Sequence, residues 1–278
     1  GRSGYDQCYG VQVDLANNVY TMGQTMGGTF PVTGGVYSNP GSSQFVMKLD
    51  NNLAANMVST VYGSGNSAAT NISPVAFLVD TCENVYISGW GGDIYSPNFT
   101  PPTGTGTTVG MPLSTAPNPP AQATTDGADF YFIVFSKNLS ALLYSTYMGR
   151  SGGVPEHVDG GTSRFDRNGV VYQAICGACG GGTFPTTAGV YKPTNGSSNC
   201  NLVALKIAMN LGRVKSQFSI TPNKICVGQS ISFTNNSSNA ISYEWDFGDG
   251  TPVFTGTTPP AKTYNTAGSY IIRLIAVN

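Results

Sequence analysis

The chain has 278 residues, of which 40% are apolar and only 10% are charged, and this content is enough to bury real cores, which excludes a disordered chain. A formal net charge of −1 offers no basic field to a nucleic-acid backbone or an anionic bilayer, so neither is an expected partner. The 36 glycines and 17 prolines favour turns and short strands over helices. No apolar run approaches the ~18 residues of a membrane span. The start "GRSGYDQCYG" lacks a signal-peptide pattern, so we expect a mature or trimmed segment.

Three segments share an aspartate, a polar turn and a β-rich strand. They are "VQVDLANNVYTMGQT" from Val11, "FLVDTCENVYISGWG" from Phe77 and "SRFDRNGVVYQAICG" from Ser163. Each pattern predicts a β-hairpin, because the aspartate caps the turn while alternate strand residues face a core.

A second pattern of strand, polar turn and strand follows each hairpin. It is "GSSQFVMKLDNNLAANMVSTVYG" from Gly41, "GADFYFIVFSKNLSALLYSTYMG" from Gly127 and "SNCNLVALKIAMNLGRVKSQFSI" from Ser198. The first and third repeats also share a connector, "GGTFPVTGGVYSNP" at 27–40 and "GGTFPTTAGVYKPT" at 181–194, whereas the second carries a Pro/Thr/Gly-rich insertion at 100–125. We therefore predict three four-stranded antiparallel sheets, at about 1–63, 64–149 and 150–214, that lie side by side.

This repeat resembles the bacterial seven-bladed-β-propeller-type repeat, which is frequent in secreted and surface proteins of Bacteroidetes. The residues of the first repeat that carry the resemblance are Asp14, Asn18, Val19, Tyr20, Gly23, Thr25, Phe30, Pro31, Thr33, Gly35, Val36 and Tyr37. Their counterparts run from Asp166 to Tyr191, the second repeat departs with "GWGGDIYSPNFTPP", and the resemblance covers about 1–212. It implies propeller blades. Three blades cannot close a ring, so we expect a longer polypeptide, or neighbouring copies that supply strands by strand addition.

The remaining segment, 215–278, resembles the PKD domain, an immunoglobulin-like β-sandwich common in extracellular proteins. The resemblance lies in "YEWDFGDGT" at 243–251 and "AGSYIIRLIAVN" at 267–278. It implies that Trp245 packs between the two sheets and that the Gly-Asp-Gly turn closes a hairpin. The alternation of Tyr270, Ile272, Leu274 and Ala276 predicts a half-buried strand. We expect this sandwich to lack its last strand.

The six cysteines predict disulfides in an oxidising compartment. They are Cys8, Cys82, Cys176, Cys179, Cys200 and Cys226. Cys200 with Cys176 or Cys179 is the most local pairing, Cys8 with Cys82 is a weaker one, and Cys226 has no partner within its own domain. Zinc is the alternative for the C-x-x-C, but no second C-x-x-C follows.

Residues suited to catalysis are sparse. His157 lies beside Glu156 and Asp159, but no G-x-S-x-G elbow is present, and a lone loop histidine is more often structural. Carboxylate pairs for glycoside cleavage can be drawn from Glu83, Asp93, Asp126, Asp129, Glu156 and Asp159. Any protein with fourteen acidic residues offers such pairs. We predict that the chain is not an enzyme.

Two kinds of ligand have some basis in the sequence. Calcium is a weak candidate at Asp246 and Asp249, or at the repeat aspartates, although turn capping explains these residues better. Trp90 and Tyr95 in the irregular second connector are candidates for stacking on sugar rings. We predict no obligatory cofactor.

Together these features predict a non-enzymatic, extracellular structural or adhesive segment of a large cell-surface or filament protein. Propeller repeats followed by a PKD-like module resemble Bacteroidetes surface proteins that the type IX system exports and that are associated with gliding motility. Such a protein acts through protein partners, self-assembly or glycans at the cell surface, without membrane insertion. The alternative is a carbohydrate-binding or accessory module of a secreted polysaccharide-degrading enzyme or peptidase.

Overall fold

The structure is a computed structural model that describes residues 3–66, 69–93, 105–153, 156–158, 163–209, 211 and 214–277. These residues form an all-β fold, with one short 3₁₀ turn at Lys137–Leu139. The chain divides into two compact units, a first unit Gly1–Met209 and a second unit Asn210–Asn278. None of the described residues forms a helix with the length and apolar content that crossing a bilayer requires.

The first sheet is an antiparallel meander of four strands. They are β1 (Tyr5–Val13), β2 (Val19–Met26), β3 (Gln44–Leu49) and β4 (Asn56–Tyr62), in the order β1-β2-β3-β4. The β1–β2 turn forms because Asp14 Oδ1 accepts the backbone N–H groups of Ala16 and Asn18, both at 2.9 Å. Asp80 and Asp166 accept the same two kinds of bond in the second and third hairpins.

The second sheet has four main strands and is almost wholly buried. They are β5 (Ser73–Val79), β6 (Val85–Trp90), β9 (Phe130–Phe135) and β10 (Leu142–Met148), in the order β10-β9-β6-β5. A small ribbon of β7 (Gly92–Asp93) and β8 (Thr105–Gly106) interrupts the chain order. Every residue of β6 and β9 is buried, as expected of central strands that are covered on both faces.

The third sheet has three strands, and the prediction of a fourth is wrong for the described residues. It contains β11 (Ser163–Phe165), β12 (Val170–Gly177) and β13 (Asn201–Ala208). The segment predicted as its outer strand instead supplies Phe218–Thr221, which pairs with residues 232–235 of the second unit. Because these residues pair with residues 232–235, they do not form an outer strand on β13.

The sheets of the first unit gain their cores from one another. The first strands of neighbouring sheets pack together, β1 against β5 and β5 against β11. One apolar cluster joins Met22 and Tyr62 of the first sheet to Ile133 and Phe135 of the second, and Tyr62 meets Phe135 edge to face at 5.4 Å. A single sheet could not bury these side chains alone, which is the arrangement that side-by-side repeats require.

The second unit consists of two three-stranded sheets. One has the order β14-β15-β18 and the other β17-β16-β19. The strands are β14 (Phe218–Thr221), β15 (Ser230–Asn235), β16 (Ser242–Asp246), β17 (Phe254–Thr255), β18 (Lys262–Thr263) and β19 (Arg273–Val277). Trp245 is fully buried between the sheets, and Tyr270, Ile272 and Leu274 pack on its cluster, as the alternation predicts.

Candidate functional site

The sulfur cluster lies where β12 ends and β13 begins. Cys179 and Cys200 form a disulfide, and the sulfurs of Cys176, Cys179 and Cys200 lie within 4.8 Å of one another. The prediction that Cys200 pairs with a member of the C-x-x-C is therefore confirmed, with Cys179 as the partner. With two of the three sulfurs oxidised, only one thiol remains to ligate a metal, which is too few for a zinc site.

The other three cysteines lie outside any disulfide. Cys8, Cys82 and Cys226 are all exposed. The pairing of Cys8 with Cys82 is therefore wrong. Cys8 lies within β1, whereas Cys82 lies in the turn between β5 and β6, and nothing in the repeat pattern fixes the separation of a strand residue from a turn residue of the next sheet.

The proximity of the third sulfur predicts that the disulfide can change partner. In a Cys179→Ser variant, we expect Cys200 to pair with Cys176, because a thiolate so close to another sulfur needs little backbone movement to form the bond. Peptide mapping under non-reducing conditions would identify the linked peptides. The Cys176→Ser variant is the control and should keep the Cys179–Cys200 bond. Free Cys200 in oxidised Cys179→Ser protein would contradict the expectation.

An arginine connects the disulfide loop to a buried acid. Arg150 Nε donates to Glu156 Oε1 at 2.7 Å, and its two terminal nitrogens donate to the backbone oxygens of Cys179 and Gly181. Glu156 is followed by His157, whose backbone exchanges two hydrogen bonds with Cys176. All three guanidinium nitrogens are therefore used in holding the end of β12, the loop and residues 156–158 together.

Two carboxylates of the first unit, Glu156 and Asp129, are buried, each about 1% exposed. Among the described residues, Oε2 of Glu156 lacks a hydrogen-bond partner. Burial raises the pKa of Asp129. Burial is also the main cause that raises the pKa of Glu156 to about 7; the Arg150 hydrogen bond opposes it, and the charges of Asp129 and Asp126 add to it.

The raised pKa of Glu156 predicts a specific pH dependence of stability. Between about pH 4 and pH 7 the folded protein keeps a proton on Glu156 that the unfolded chain has lost, so the free energy of unfolding falls as pH rises through this range. The full loss is on the order of 3 kcal/mol. A Glu156→Gln variant should lack this contribution. Urea denaturation of both proteins at pH 5 and pH 8 measures it, and equal pH slopes would contradict the assignment.

The remaining catalytic candidates have structural contacts. Asp126 accepts the backbone N–H of Ala128 at 3.0 Å and that of Gly153 at 2.6 Å. Glu83 belongs to the ion-pair network described below. Asp159 lies outside the described residues, as does the side chain of Asp93.

A buried ion-pair network joins the first and second sheets. Lys48 of β3 is 5% exposed, and its Nζ lies 3.0 Å from Asp14 Oδ2 and 2.7 Å from Glu83 Oε2. Tyr20 donates its hydroxyl to Glu83 at 3.2 Å, and Lys137 contacts the other oxygen of Glu83 at 2.6 Å. Lys48 is not among the predicted site residues, although a lysine within the apolar run "FVMKL" indicates a buried, paired charge.

The proposed sugar-stacking residue Trp90 is buried, and that prediction is wrong. Trp90 is 3% exposed, because it ends the fully buried strand β6 and pairs with Ser73 and Phe130 on either side. A ring in this position offers no face to a sugar. Tyr95, the second candidate, lies outside the described residues.

The candidate calcium ligands of the second unit are engaged in turn bonds. Asp246 accepts the N–H of Gly248 at 2.9 Å. Asp249 accepts the N–H and hydroxyl of Thr251 and lies 2.8 Å from Lys262 Nζ, and these contacts lower its pKa to about 2, the Lys262 bond being the largest cause. A cation at Asp249 would have to displace the lysine.

A groove runs along the outer edge of β13. Its volume is about 420 Å³, and the third connector forms its other wall. The walls include Phe184, Thr187, Tyr191, Leu202 and Ala204. Leu202 is 83% exposed and Tyr191 is fully exposed, so the groove presents an open apolar surface. No sequence pattern predicts this groove.

Comparison with known families identifies the second unit. The sequence model of the PKD domain matches residues 217–278, in agreement with the two-sheet sandwich and its buried Trp245. No curated protein matches the chain.

Proposed function

We propose that the chain is a non-enzymatic extracellular segment with a structural or adhesive role in a larger bacterial surface or filament protein. The observation that carries this proposal is the PKD domain at 217–278, because PKD domains are typically extracellular adhesion or structural modules. The low charge, the all-β fold and the Cys179–Cys200 disulfide support an oxidising, extracellular setting.

The repeats supply the finer part of the proposal. We propose that the three sheets of the first unit are propeller blades, because their first strands lie next to one another and their hairpins share one aspartate-capped turn. The resemblance of the repeats supports a surface protein of Bacteroidetes exported by the type IX system and associated with gliding motility. Its partners are then other surface proteins or copies of itself.

The absence of enzymatic activity is also part of the proposal. Among the acids nominated for catalysis, Asp126 accepts backbone N–H groups, Glu83 pairs with Lys48 and Lys137, and Glu156 pairs with Arg150. The alternative of a carbohydrate-binding or accessory module loses support because Trp90 is buried. No cofactor is proposed, since Asp249 holds Lys262 and the aspartates of the hairpins hold backbone N–H groups.

Surface labelling of the source cells tests the location. Antibodies against residues 1–278 should label intact cells, and external proteinase K should remove the signal while a periplasmic marker survives. A signal that resists protease until the cells are lysed would contradict the proposal. In the same extract, alkylation before and after reduction should show Cys179 and Cys200 oxidised, as expected outside the cytoplasm.

A further inference from the structure

The third sheet lacks the outer strand that the other two sheets possess. In the first sheet β4 pairs with the outer edge of β3 along six residues, and in the second sheet β10 pairs in the same way with β9. The corresponding edge of the third sheet belongs to β13, and no described residue pairs with it. An unpaired edge presents backbone donors and acceptors to any strand that approaches.

The register shows which groups of β13 face outward. Cys176 of β12 exchanges its backbone hydrogen bonds with His157, away from β13, and Ile175 pairs with Val203. Since bonding direction alternates along an antiparallel strand, Val203 and Leu205 bond to β12. Leu202, Ala204 and Lys206 therefore direct their N–H and C=O groups to the open edge.

The third connector retains the features with which the first connector covers a strand. In the first sheet, Thr33 donates its N–H to Ser59 O at 3.0 Å and accepts the N–H of Ser59 on Oγ1 at 3.0 Å. Phe30 and Phe184, which occupy the same place in the two connectors, are both buried. The third connector thus shares the buried phenylalanine of the first, and Thr187 stands at the position of Thr33, but the place of β4 is taken by the groove.

The exposure of the connector tyrosines agrees with an unfilled position. Tyr37 of the first connector is half-buried and packs against the core that β4 helps to form. Its counterpart Tyr191 is fully exposed. Tyr37 also meets Phe135 at 5.8 Å and donates its N–H to Leu139 O at 2.7 Å, so its burial comes from the neighbouring second sheet together with β4. No described residue covers Tyr191 in either way.

The strands that fill the first two sheets define the chemistry of the occupant. Both carry adjacent serine and threonine between apolar residues, "VSTVYG" in β4 and "YSTYMG" in β10. Ser59 donates its hydroxyl to Pro31 O, and Thr60 donates to Tyr37 O.

In the second sheet, the serine and threonine hydroxyls of the outer strand also donate to backbone oxygens of the connector. Ser145 donates to Pro112 O at 2.9 Å and Thr146 to Gln122 O at 3.3 Å. In the third connector, Pro185 stands at the position of Pro31 and Tyr191 at that of Tyr37, so the same kind of carbonyl acceptors is available to a strand in the groove.

We propose that the open edge of β13 and the groove under the third connector bind one extended strand of a second polypeptide that carries an apolar–Ser–Thr–apolar sequence. The backbone of Leu202, Ala204 and Lys206 pairs with the incoming strand, and the connector accepts its two hydroxyl groups. This is β-strand addition with side-chain selection. The inference does not depend on the extracellular location proposed above.

Peptide binding to the intact chain tests the proposal. The probes are fluorescent, end-capped peptides with the sequences of 56–63 and 142–149, and fluorescence anisotropy measures their affinity. A peptide of the 56–63 sequence with Ala-Val in place of Ser-Thr should bind at least tenfold more weakly. Hydrogen exchange should slow at the outward amides of Leu202, Ala204 and Lys206 when the first peptide binds.

A proline variant separates backbone pairing from side-chain packing. Ala204→Pro removes an outward N–H and leaves the bonds to β12 in place, so binding should weaken at least tenfold. Ala204→Val keeps the N–H and should bind nearly as well as the unmodified chain. If Ala204→Pro does not fold, peptides N-methylated on alternate residues replace it: methylation on one alternate set should abolish binding and on the other should not.

Three results would overturn the proposal. They are no binding by either peptide, equal binding of the Ala-Val peptide, and unchanged binding by Ala204→Pro that has folded. Analytical sedimentation of the chain without peptide measures whether the chain forms a dimer. A dimer that Ala204→Pro abolishes would place a second copy in the groove instead of the Ser-Thr strand.

Discussion

Trp245→Ala is expected to lower the free energy of unfolding of the second unit by about 3–5 kcal/mol. The indole is fully buried, meets Phe218 and Phe233 edge to face at 5.3 and 5.6 Å and donates Nε1–H to Gly256 O at 3.1 Å. The variant therefore leaves a large cavity and an unpaired carbonyl. Because a domain is typically stable by only about 5–15 kcal/mol, much of the second unit is expected to unfold on mild heating.

The two tryptophans make this measurement selective. The chain has two tryptophans, and Trp90 lies in the first unit, so the fluorescence of Trp245→Ala reports the first unit alone while circular dichroism reports both. Trp245→Phe is the matched control, because phenylalanine fills most of the cavity. It should lower the free energy of unfolding by about 1 kcal/mol for the lost hydrogen bond, with a smaller loss from packing. A Trp245→Ala loss below about 1 kcal/mol, the size of one hydrogen bond, would show that the ring is not the centre of the sandwich.

Lys48→Met is expected to destabilise the first unit by about 3–5 kcal/mol, because it leaves the buried Asp14 and partly buried Glu83 without their shared cation. Methionine matches the length of the lysine stem, so lost packing contributes little. Urea denaturation in a Trp245→Phe background, in which Trp90 is the only tryptophan, measures the change by fluorescence. Lys137→Met is the control: Lys137 contacts the same Glu83, but its side chain is 59% exposed, and exposed ion pairs contribute under about 1 kcal/mol.

Acid should reduce the effect of Lys48→Met. Burial by itself raises the pKa of Asp14, but hydrogen bonds from Asn18 and Lys48 more than offset it and lower the pKa to about 2. A carboxylate with a depressed pKa contributes stability above its unfolded value of about 4 and loses it as pH falls through its folded value. The gap between the two proteins should therefore narrow from pH 4 to pH 2. A gap that stays constant would argue against charge pairing as the cause.

The strands of the first two sheets could be predicted because the same pattern of strands and turns occurs in each repeat of the sequence. Alternation and aspartate-capped turns are local, so "VQVDLANNVY" and its copies indicate hairpins without reference to the rest of the chain. The third sheet shows the limit of this reasoning. Its predicted outer strand aligned well, but Phe218 pairs with Asn235 of the second unit, and such competition between partners is a long-range property.

The site residues show the same difference between local features, which the sequence indicates, and long-range contacts, which it does not. Lys48 and Lys206 occupy one position in the repeat, and each stands over the ring of the cross-strand tyrosine, Tyr20 or Tyr172. Lys48 is buried because Glu83 reaches it from the next sheet, whereas Lys206 is exposed. The irregular sequence after Trp90 indicates a loop, whereas Trp90 itself ends a central strand. No sequence pattern indicates Arg150, since its partners Cys179 and Gly181 are 29 and 31 positions away.

The position of the disulfide has a mechanical consequence. The Cys179–Cys200 bond links cysteines that are 21 positions apart. If the chain is stretched, the segment between them cannot extend, and the maximum length of the chain is shorter by about 70 Å, at ~3.5 Å per residue. The third connector lies inside this closed loop. A force applied to the two ends of the chain would therefore act on β12 and β13. The third connector, which forms one wall of the groove, would bear no tension and would keep its position.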